Sequence, residues 1–226
     1  MPTILDKLDK IQSKIEKAAE KSLRSLNDIN LLAVTKTASE QQLKEAYGAG
    51  QKQFGHNHVQ NLEIQKKILP SAEWHLLGPL QGKKVKRGIE AADYYQALGD
   101  LKTAERISRA LPLGKSQKVL LQLNLNPEDE RYGLDYSSMM KLLEKLNNIP
   151  SIQAVGLMTL ARAEAEEKEL HNTFSKVRQC AEELSAQGIM PNRPILSMGM
   201  SQDFEIAIME GSNLVRIGRA LFSNKL

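Results

Sequence analysis

The chain has 226 residues, a formal net charge of +4 and one cysteine, Cys180. A single cysteine excludes an intramolecular disulfide and a cysteine-based metal site, and it favours a reducing, cytoplasmic location. Basic residues are scattered beside acidic ones, which argues against nucleic-acid binding, and no segment is apolar over the length that a membrane span needs. We therefore expect a soluble cytoplasmic protein with no nucleic-acid or membrane partner.

Apolar residues recur at helical spacing near the start of the chain, at Ile4, Leu5, Leu8, Ile11, Ile15 and Ala18. This spacing predicts an amphipathic N-terminal helix within residues 1–26. Charged residues occur throughout the segment and leave no apolar core of signal-peptide length. We expect the helix to belong to the folded protein.

Eight short apolar runs follow this helix, and segments with helical periodicity separate them. The runs are INLLAVTK, KQFGHN, EWHLLG, YYQALG, KVLLQLN, IQAVGLMT, PILSMG and NLVRIGRALF. Such alternation predicts an α/β fold, a single-domain (β/α)8 TIM barrel over residues 1–226 with the N-terminal helix as an extra element. Because several runs are short, an open doubly wound sheet is the alternative. The stretch LNPEDERYGLD, residues 125–135, is predicted to be the most loop-like segment.

The first apolar run ends in a lysine, Lys36. In a TIM barrel the active site is built at the carboxyl ends of the strands, where this lysine is expected. Side-chain alternation places it on the face of Leu32 and Val34, with Ala33 and Thr35 on the opposite face. A lysine at a strand end is most often a snorkelling surface residue. The functional alternative is an amine that forms a Schiff base with an aldehyde.

Two turns with small residues near the end of the chain favour the functional alternative. SMGMSQD contains Gly199 and Ser201, which is predicted to be the N-cap of the following helix, and VRIGRA contains Gly218. Phosphate groups in TIM barrels are frequently bound by the loops after strands seven and eight. With Lys36 across the mouth, the two turns predict a site for a phosphorylated aldehyde.

Arg216 is expected on the same face of the last strand as Gly218. Its ordinary role would be an ion pair with a carboxylate. In a pyridoxal phosphate site it would instead donate to the pyridine nitrogen and, because arginine keeps its proton, leave that nitrogen unprotonated. An unprotonated pyridine is a poor electron sink, which disfavours carbanion chemistry.

The chain resembles the pyridoxal phosphate homeostasis proteins, the YggS or PROSC family, whose fold is like the barrel domain of alanine racemases. The resemblance covers nearly the whole chain and rests on AVTKT, FGHNHVQN, WHLLGPLQGKK, GLMT and LSMGMSQDFEIAIMEGSNLVRIG, in that order. The last motif is long and highly specific. The resemblance implies pyridoxal 5'-phosphate as the cofactor and a set of residues that bind it: Lys36, Asn57, Met158, Ser197, Ser201, Arg216, Gly218 and Arg219.

The resemblance also implies a role for each of these residues. Lys36 would form the internal aldimine, Asn57 would lie close to the cofactor ring, and Met158 would line the pocket. Ser197 and Ser201 would belong to the phosphate-binding segment. Arg216 would be the arginine that faces the pyridine nitrogen. Gly218 and Arg219 would form the second phosphate turn.

Four positions depart from the family pattern. His56 stands where the family usually has Glu, which removes a negative charge near the end of the second strand. Pro79 interrupts a motif that is often GHLQ, and Ser223 replaces a glycine. Arg219 replaces a threonine and so removes a hydroxyl from the second phosphate turn, although the backbone amide remains. We expect these departures to change ligand contacts and affinity and to leave the lysine in place.

The other histidines do not indicate a metal site. His75 is predicted to be a hydrogen-bonded residue of the core. His56 and His58 are two residues apart and have no visible third ligand, so no metal is predicted.

By resemblance, the function is the intracellular homeostasis and supply of pyridoxal phosphate, held as a Schiff base on Lys36 by a monomer without catalytic residues. Apo-enzymes that use the cofactor are the candidate partners. The alternative is a pyridoxal-phosphate-dependent enzyme such as a small amino-acid racemase, which needs an acid–base group on each face of its substrate. Alanine racemases tolerate an arginine similar to Arg216, but they take a tyrosine from a second domain that this chain is too short to contain. Tyr132, in the long predicted loop, is the candidate that remains.

Overall fold

The computed structural model describes residues 2–125 and 132–223. Helix α1 (Ile4–Lys21) begins after Thr3, whose hydroxyl accepts a hydrogen bond from the backbone N–H of Asp6 while the Asp6 carboxylate accepts one from the Thr3 N–H. The predicted N-terminal helix is thus confirmed. Its buried face consists of Ile4, Ile11, Ile15, Ala18 and Ala19.

Parallel strands form the centre of the molecule, and a short 3-10 helix (Leu26–Asp28) leads into the first of them. The strands are β1 (Asn30–Val34), β2 (Gln53–His56), β3 (Glu73–Leu76), β4 (Tyr94–Leu98), β5 (Gln117–Leu123), β6 (Ile152–Thr159), β7 (Ile195–Ser197) and β8 (Leu214–Ile217). They pair in chain order, and β8 pairs with β1 to close the barrel. The predicted TIM barrel is confirmed, and the alternative of an open sheet is wrong.

A helix follows every strand of the barrel. These helices are α2 (Glu40–Gly48), α3 (Val59–Ile68), α4 (Lys84–Ala91), α5 (Leu101–Ala110), α6 (Tyr136–Leu146), α7 (Glu167–Ala186), α8 (Phe204–Met209) and α9 (Arg219–Phe222). In the described parts of the chain, no helix has both the length and the apolar character that crossing a membrane requires.

Alternate residues of each strand face either the helices or the barrel interior. Phe54 and Trp74 are register partners on β2 and β3, and both are buried against the helices with their ring centroids 5.4 Å apart. Leu32 and Arg216 are register partners on β1 and β8 and lie on the opposite face, towards the interior. The interior therefore holds a buried cation as well as apolar side chains.

The long predicted loop is only partly described, because residues 126–131 lie outside the described residues. The chain is described again from Tyr132, whose backbone carbonyl accepts a hydrogen bond from the Gln122 side chain at 2.8 Å. Leu134 then forms a bridge to Leu123 at the end of β5. These contacts place Tyr132 beside the carboxyl end of β5.

Candidate functional site

Strand β1 ends two residues before Lys36, so the lysine lies in the turn beyond the strand. Thr35 is buried, and its hydroxyl donates to the backbone carbonyl of Gly55 at 3.1 Å and lies 2.5 Å from Oε1 of Gln65 on α3. Thr35 therefore faces the helices, as the alternation predicted. Lys36 itself is exposed, and its amine forms no hydrogen bond or ion pair with residues 2–125 or 132–223.

Arg216 lies inside the barrel and is 4% exposed. Its Nη1 donates to the carbonyl and the hydroxyl of Ser197 at 2.5 and 2.7 Å, and its Nη2 donates to the carbonyl of Thr159 at 2.7 Å. Among the described residues no carboxylate forms an ion pair with it, so the ordinary ion-pair role is wrong. Its Nε–H and the second N–H of Nη2 have no acceptor in that same part of the chain, which leaves two donors available to a ligand.

The charge of Arg216 survives its burial. Removal from water lowers the pKa of its guanidinium to about 10, and the carboxylate of Asp203 opposes the decrease. A group with this pKa is protonated at neutral pH. Arg216 therefore acts as a hydrogen-bond donor and holds its protons.

Arg216 is the first member of a chain of hydrogen bonds that crosses the barrel interior. The Ser197 hydroxyl donates to Oε1 of Gln96 at 2.7 Å, and Nε2 of Gln96 lies 2.7 Å from Nδ1 of His75. Nε2 of His75 lies 3.1 Å from the Glu73 carboxylate. Because Arg216 only donates and Glu73 accepts, one arrangement satisfies every group, with His75 protonated on Nε2. The prediction that His75 is a hydrogen-bonded core residue is confirmed.

Sequence reasoning missed two members of this chain, Glu73 and Gln96. Glu73 is next to Trp74 on β3, and Gln96 is next to Tyr95 on β4. Trp74 and Tyr95 face the helices, so their neighbours face the interior. That alternation within EWHLLG and YYQALG was the available signal, because it places the polar residues on the interior face of the barrel.

Gly199 allows the chain to turn tightly after β7. Its φ is +88°, and a Cβ there would lie 2.6 Å from Cβ of Ala207 and 2.8 Å from Cα of Phe204. Both the backbone conformation and the contact with α8 therefore require glycine at this position. The Gly199 carbonyl also accepts a hydrogen bond from the backbone N–H of Arg216 at 2.9 Å, which connects this turn to β8.

Ser201 is not the N-cap of the following helix, so that prediction was wrong. Three turn residues precede the helix, and Asp203 occupies the N-cap position of α8. The carboxylate of Asp203 accepts the backbone N–H of Met200 at 2.5 Å, which closes the turn, while its own pKa is raised by burial. Oγ of Ser201 instead accepts the backbone N–H of Ala220 at 3.4 Å. This hydroxyl joins the two turns that were predicted to bind phosphate.

The two turns together present backbone amides at the carboxyl ends of β7 and β8. The amides of Gly199, Ser201 and Gln202 donate to no acceptor among residues 2–125 and 132–223. Gly218 precedes α9 and packs on β1, since a Cβ there would lie 3.0 Å from the Val34 carbonyl oxygen. Arg219 is exposed beside it. Unpaired amides next to a cationic side chain suit an anion.

Asn57 is exposed just beyond β2, where its backbone touches the loop that follows β3. A Cβ at Gly78 would lie 2.0 Å from the Asn57 carbonyl oxygen, so only glycine permits this contact. Pro79 follows and is exposed. His56 is buried, and its Nδ1 accepts the backbone N–H of His58 at 2.9 Å. Burial lowers the pKa of His56 to about 4, so the residue that replaces the family's glutamate is neutral.

Met158 and Tyr132 border the site from β6 and from the end of the long loop. Met158 is buried and is a register partner of Ser197, which places it on the interior face. The Tyr132 hydroxyl lies 3.5 Å from an Asp100 carboxylate oxygen, and a Cβ at Gly99 would lie 2.5 Å from that hydroxyl. Burial, followed by the charge of Asp100, raises the pKa of Tyr132 to about 12.

The eight predicted residues separate into two levels at one end of the barrel. Ser197, Met158 and Arg216 are buried in the interior. The others lie in the loops and turns above the carboxyl ends of the strands: Lys36, Asn57, Ser201, Gly218 and Arg219. Within the described residues, no group of His, Cys, Asp and Glu side chains is suited to hold a metal ion.

Comparison with known proteins identifies relatives that match nearly the whole chain. The family model of the alanine racemase N-terminal domain matches residues 7–225. A pyridoxal phosphate homeostasis protein from Haemophilus influenzae is 36% identical over 222 residues, covering 95% of this chain and 93% of its own length. The one from Pasteurella multocida is 36% identical over 235 residues, covering 97% of each. The structure of PipY from Synechococcus elongatus with pyridoxal phosphate bound has a TM-score of 0.80 and 33% identity, covering 93% of this chain and all of PipY.

Proposed function

The chain belongs to the family of pyridoxal phosphate homeostasis proteins, and we propose that it binds pyridoxal 5'-phosphate covalently through Lys36 and serves the supply of that cofactor in the cytoplasm. The observation that carries the proposal is the position of an unpaired lysine amine at the same end of the barrel as two amide-bearing turns. A buried arginine with a free N–H lies beneath them.

The residues present match three of the polar groups of pyridoxal phosphate: the aldehyde, the phosphate and the pyridine nitrogen. Lys36 supplies an exposed amine for the aldehyde. The unpaired amides of the turn from Gly199 to Gln202 and the amide of Arg219 suit the phosphate. Arg216 supplies the Nε–H for the pyridine nitrogen. Asn57 and Met158 would complete the site around the ring.

Arg216 also favours storage of the cofactor over catalysis. When bound, pyridoxal phosphate supplies an aldehyde that bonds reversibly to amines and a ring that withdraws electrons effectively when its nitrogen is protonated. With its pKa at about 10, Arg216 donates a hydrogen bond without releasing a proton. Ser197 and Thr159 hold the guanidinium in one orientation for this contact.

A racemase would need a second acid–base group beside Lys36. Tyr132 was the candidate, but its hydroxyl is directed to Asp100 and its pKa is raised to about 12, which makes it a poor base at neutral pH. We therefore propose a non-catalytic carrier. The protein would act as a monomer whose exposed Lys36 allows release of the cofactor to apo-enzymes that use it.

The proposal is tested by titrating purified protein with pyridoxal phosphate and following the visible absorbance of the bound cofactor. Wild type and Lys10→Ala, which removes an exposed lysine of α1, are expected to give the same saturable change. Lys36→Ala is expected to give none. Equal titration of Lys36→Ala and wild type would show that the cofactor binds elsewhere. Mixing loaded protein with an apo-enzyme then tests transfer, and loss of the bound signal with gain of enzyme activity is expected.

A further inference from the structure

Gln96 is fully buried in the barrel interior, and its side-chain amide is bonded at both ends. Its Oε1 accepts the Ser197 hydroxyl at 2.7 Å, and its Nε2 lies 2.7 Å from Nδ1 of His75. Gln96 is on β4, and its two partners are on β7 and β3. Because β4 and β7 are not neighbours in the barrel, this amide bridges the interior.

The carboxylate at one end of the hydrogen-bond chain determines which way the Gln96 amide points. Glu73 accepts from Nε2 of His75, which leaves Nδ1 of the same ring as an acceptor. Nε2 of Gln96 therefore donates to His75, and Oε1 is turned towards Ser197. The opposite orientation would bring two lone pairs together at His75 and leave the Ser197 proton without an acceptor.

The guanidinium of Arg216 forms the other end of the chain. Its Nη1 donates to the Ser197 hydroxyl, which can accept this bond in a fixed direction because its own proton is directed to Gln96. Nε of Arg216 has no partner in the described parts of the chain, and it is not among the side-chain atoms that are sealed from solvent there. It is therefore accessible to a ligand.

We propose that Gln96 is a positioning residue for the cofactor, because it orients Arg216 through Ser197 so that the guanidinium donates to the pyridine nitrogen. This inference rests on the proposed function, since Arg216 meets a pyridine nitrogen only when pyridoxal phosphate is bound. Without Oε1 at position 96, the Ser197 hydroxyl is free to rotate. The guanidinium then keeps its two backbone carbonyl acceptors and loses its third fixed acceptor, so its direction is less well defined.

The test compares the affinities of the protein for two ligands that differ at one ring atom. Pyridoxal phosphate has the pyridine nitrogen, whereas its 1-deaza analogue has a C–H group there and accepts no hydrogen bond. Calorimetry measures the Kd of each ligand. We expect wild type to bind pyridoxal phosphate about fivefold or more tightly than the analogue. The ratio of the two Kd values isolates the contact with the ring nitrogen from the rest of the site.

Gln96→Met removes the amide and keeps an unbranched side chain of similar length. It is expected to lower the ratio about threefold or more, by weakening the binding of pyridoxal phosphate and leaving that of the analogue within about twofold of wild type. The matched control is Gln117→Met. Gln117 is also a buried glutamine, but its Nε2 donates to the backbone carbonyl of Asp93 outside the chain, so the ratio is expected to stay at the wild-type value.

Ser197→Ala breaks the same connection from its other side and is expected to lower the ratio as Gln96→Met does. Adding Gln96→Met to Ser197→Ala is expected to lower it no further, because the two residues act in series. Circular dichroism separates loss of binding from loss of fold, and Ser197→Ala provides the test if Gln96→Met does not fold.

Three results would overturn the positioning role and leave the proposed function intact. They are a wild-type ratio near one, equal weakening of both ligands in Gln96→Met, and an unchanged ratio in Ser197→Ala. Absence of saturable pyridoxal phosphate binding to wild type would instead overturn the proposed function, and the positioning role with it.

Discussion

The hydroxyl of Ser197 accepts a hydrogen bond from Nη1 of Arg216 at 2.7 Å and donates one to Gln96 at the same distance. Ser197 thereby links Arg216, the cation of the proposed cofactor site, to the rest of the hydrogen-bond chain in the barrel interior. Because every donor along that chain points away from Arg216 and towards Glu73, the guanidinium is held in one orientation.

Replacement of Ser197 by alanine should expose this dependence. Ser197→Ala leaves Oε1 of Gln96 and one N–H of Arg216 without a partner in a buried site, so the free energy of unfolding should fall by about 1–3 kcal/mol. Urea denaturation measures the loss. Ser137→Ala, on the exposed first turn of α6, is the control and should fall within about 0.5 kcal/mol of wild type. If Ser197→Ala were as stable as wild type, the hydrogen bonds of Ser197 would not contribute to stability and this prediction would be wrong.

Glycine at position 199, in the first of the two proposed phosphate turns, is required by two effects that a matched pair of variants can separate. Gly199→Ala introduces a Cβ at a φ of +88° and against α8, whereas Gly188→Ala introduces one at a φ of +70° with nothing within 4 Å. The Gly188 variant should lose about 1–2 kcal/mol from backbone strain alone. The Gly199 variant should lose about 1–3 kcal/mol more from overpacking and bind pyridoxal phosphate more weakly. Equal losses in unfolding experiments would remove the packing argument.

His56 should make stability depend on pH in the acidic range. Its pKa falls from 6.5 in the unfolded chain to about 4 in the folded protein, mainly through burial. Between these values the unfolded state binds the proton more strongly, so the stabilisation is complete above pH 6.5 and is lost as the pH falls towards 4. Over that interval wild type should lose about 1–3 kcal/mol more than His56→Gln, whose side-chain oxygen still accepts the His58 N–H. Parallel pH profiles of urea denaturation in the two proteins would contradict this.

Tyr132 should not contribute to chemistry at the substrate α-carbon. We expect exchange of the alanine α-hydrogen in deuterated buffer to proceed no faster with the loaded wild-type protein than with Lys36→Ala and an equal amount of free pyridoxal phosphate. Tyr132→Phe should bind the cofactor with unchanged absorbance and leave this background unaltered. Exchange that is fast in wild type and lost in both variants would instead identify a racemase.

The fold followed from the sequence because its signals are local and repeated. The alternation of apolar runs with amphipathic segments predicted the barrel, and the helical spacing from Ile4 to Ala18 predicted α1. The exact ends of individual helices were harder to predict. Ser201 was predicted to be a helix N-cap because serine is common there, but α8 begins three residues later, after a turn that the Asp203 carboxylate closes by accepting the Met200 amide.

The buried part of the site was harder still to predict, because its contacts join residues far apart in sequence. Ser197 and Gln96 are separated by 101 positions, and neither residue type indicates on its own which partner it bonds. The alternation within EWHLLG and YYQALG indicates that Glu73 and Gln96 face the interior, but it does not show which residues they bond. The family resemblance implies that Ser197 belongs to the phosphate-binding segment and that Arg216 faces the pyridine nitrogen, and both roles stay predictions. In the structure the Ser197 hydroxyl bonds to Gln96 and Arg216.

The central claim is that Lys36 forms the covalent bond to pyridoxal phosphate. It is tested most directly by treating the loaded protein with borohydride, digesting it and mapping the modified peptides by mass spectrometry. The account predicts loss of the visible absorbance and one dominant phosphopyridoxyl group on Lys36, with Lys10 unmodified. A modification spread over exposed lysines in proportion to their accessibility, or a dominant adduct on any other lysine, would contradict it.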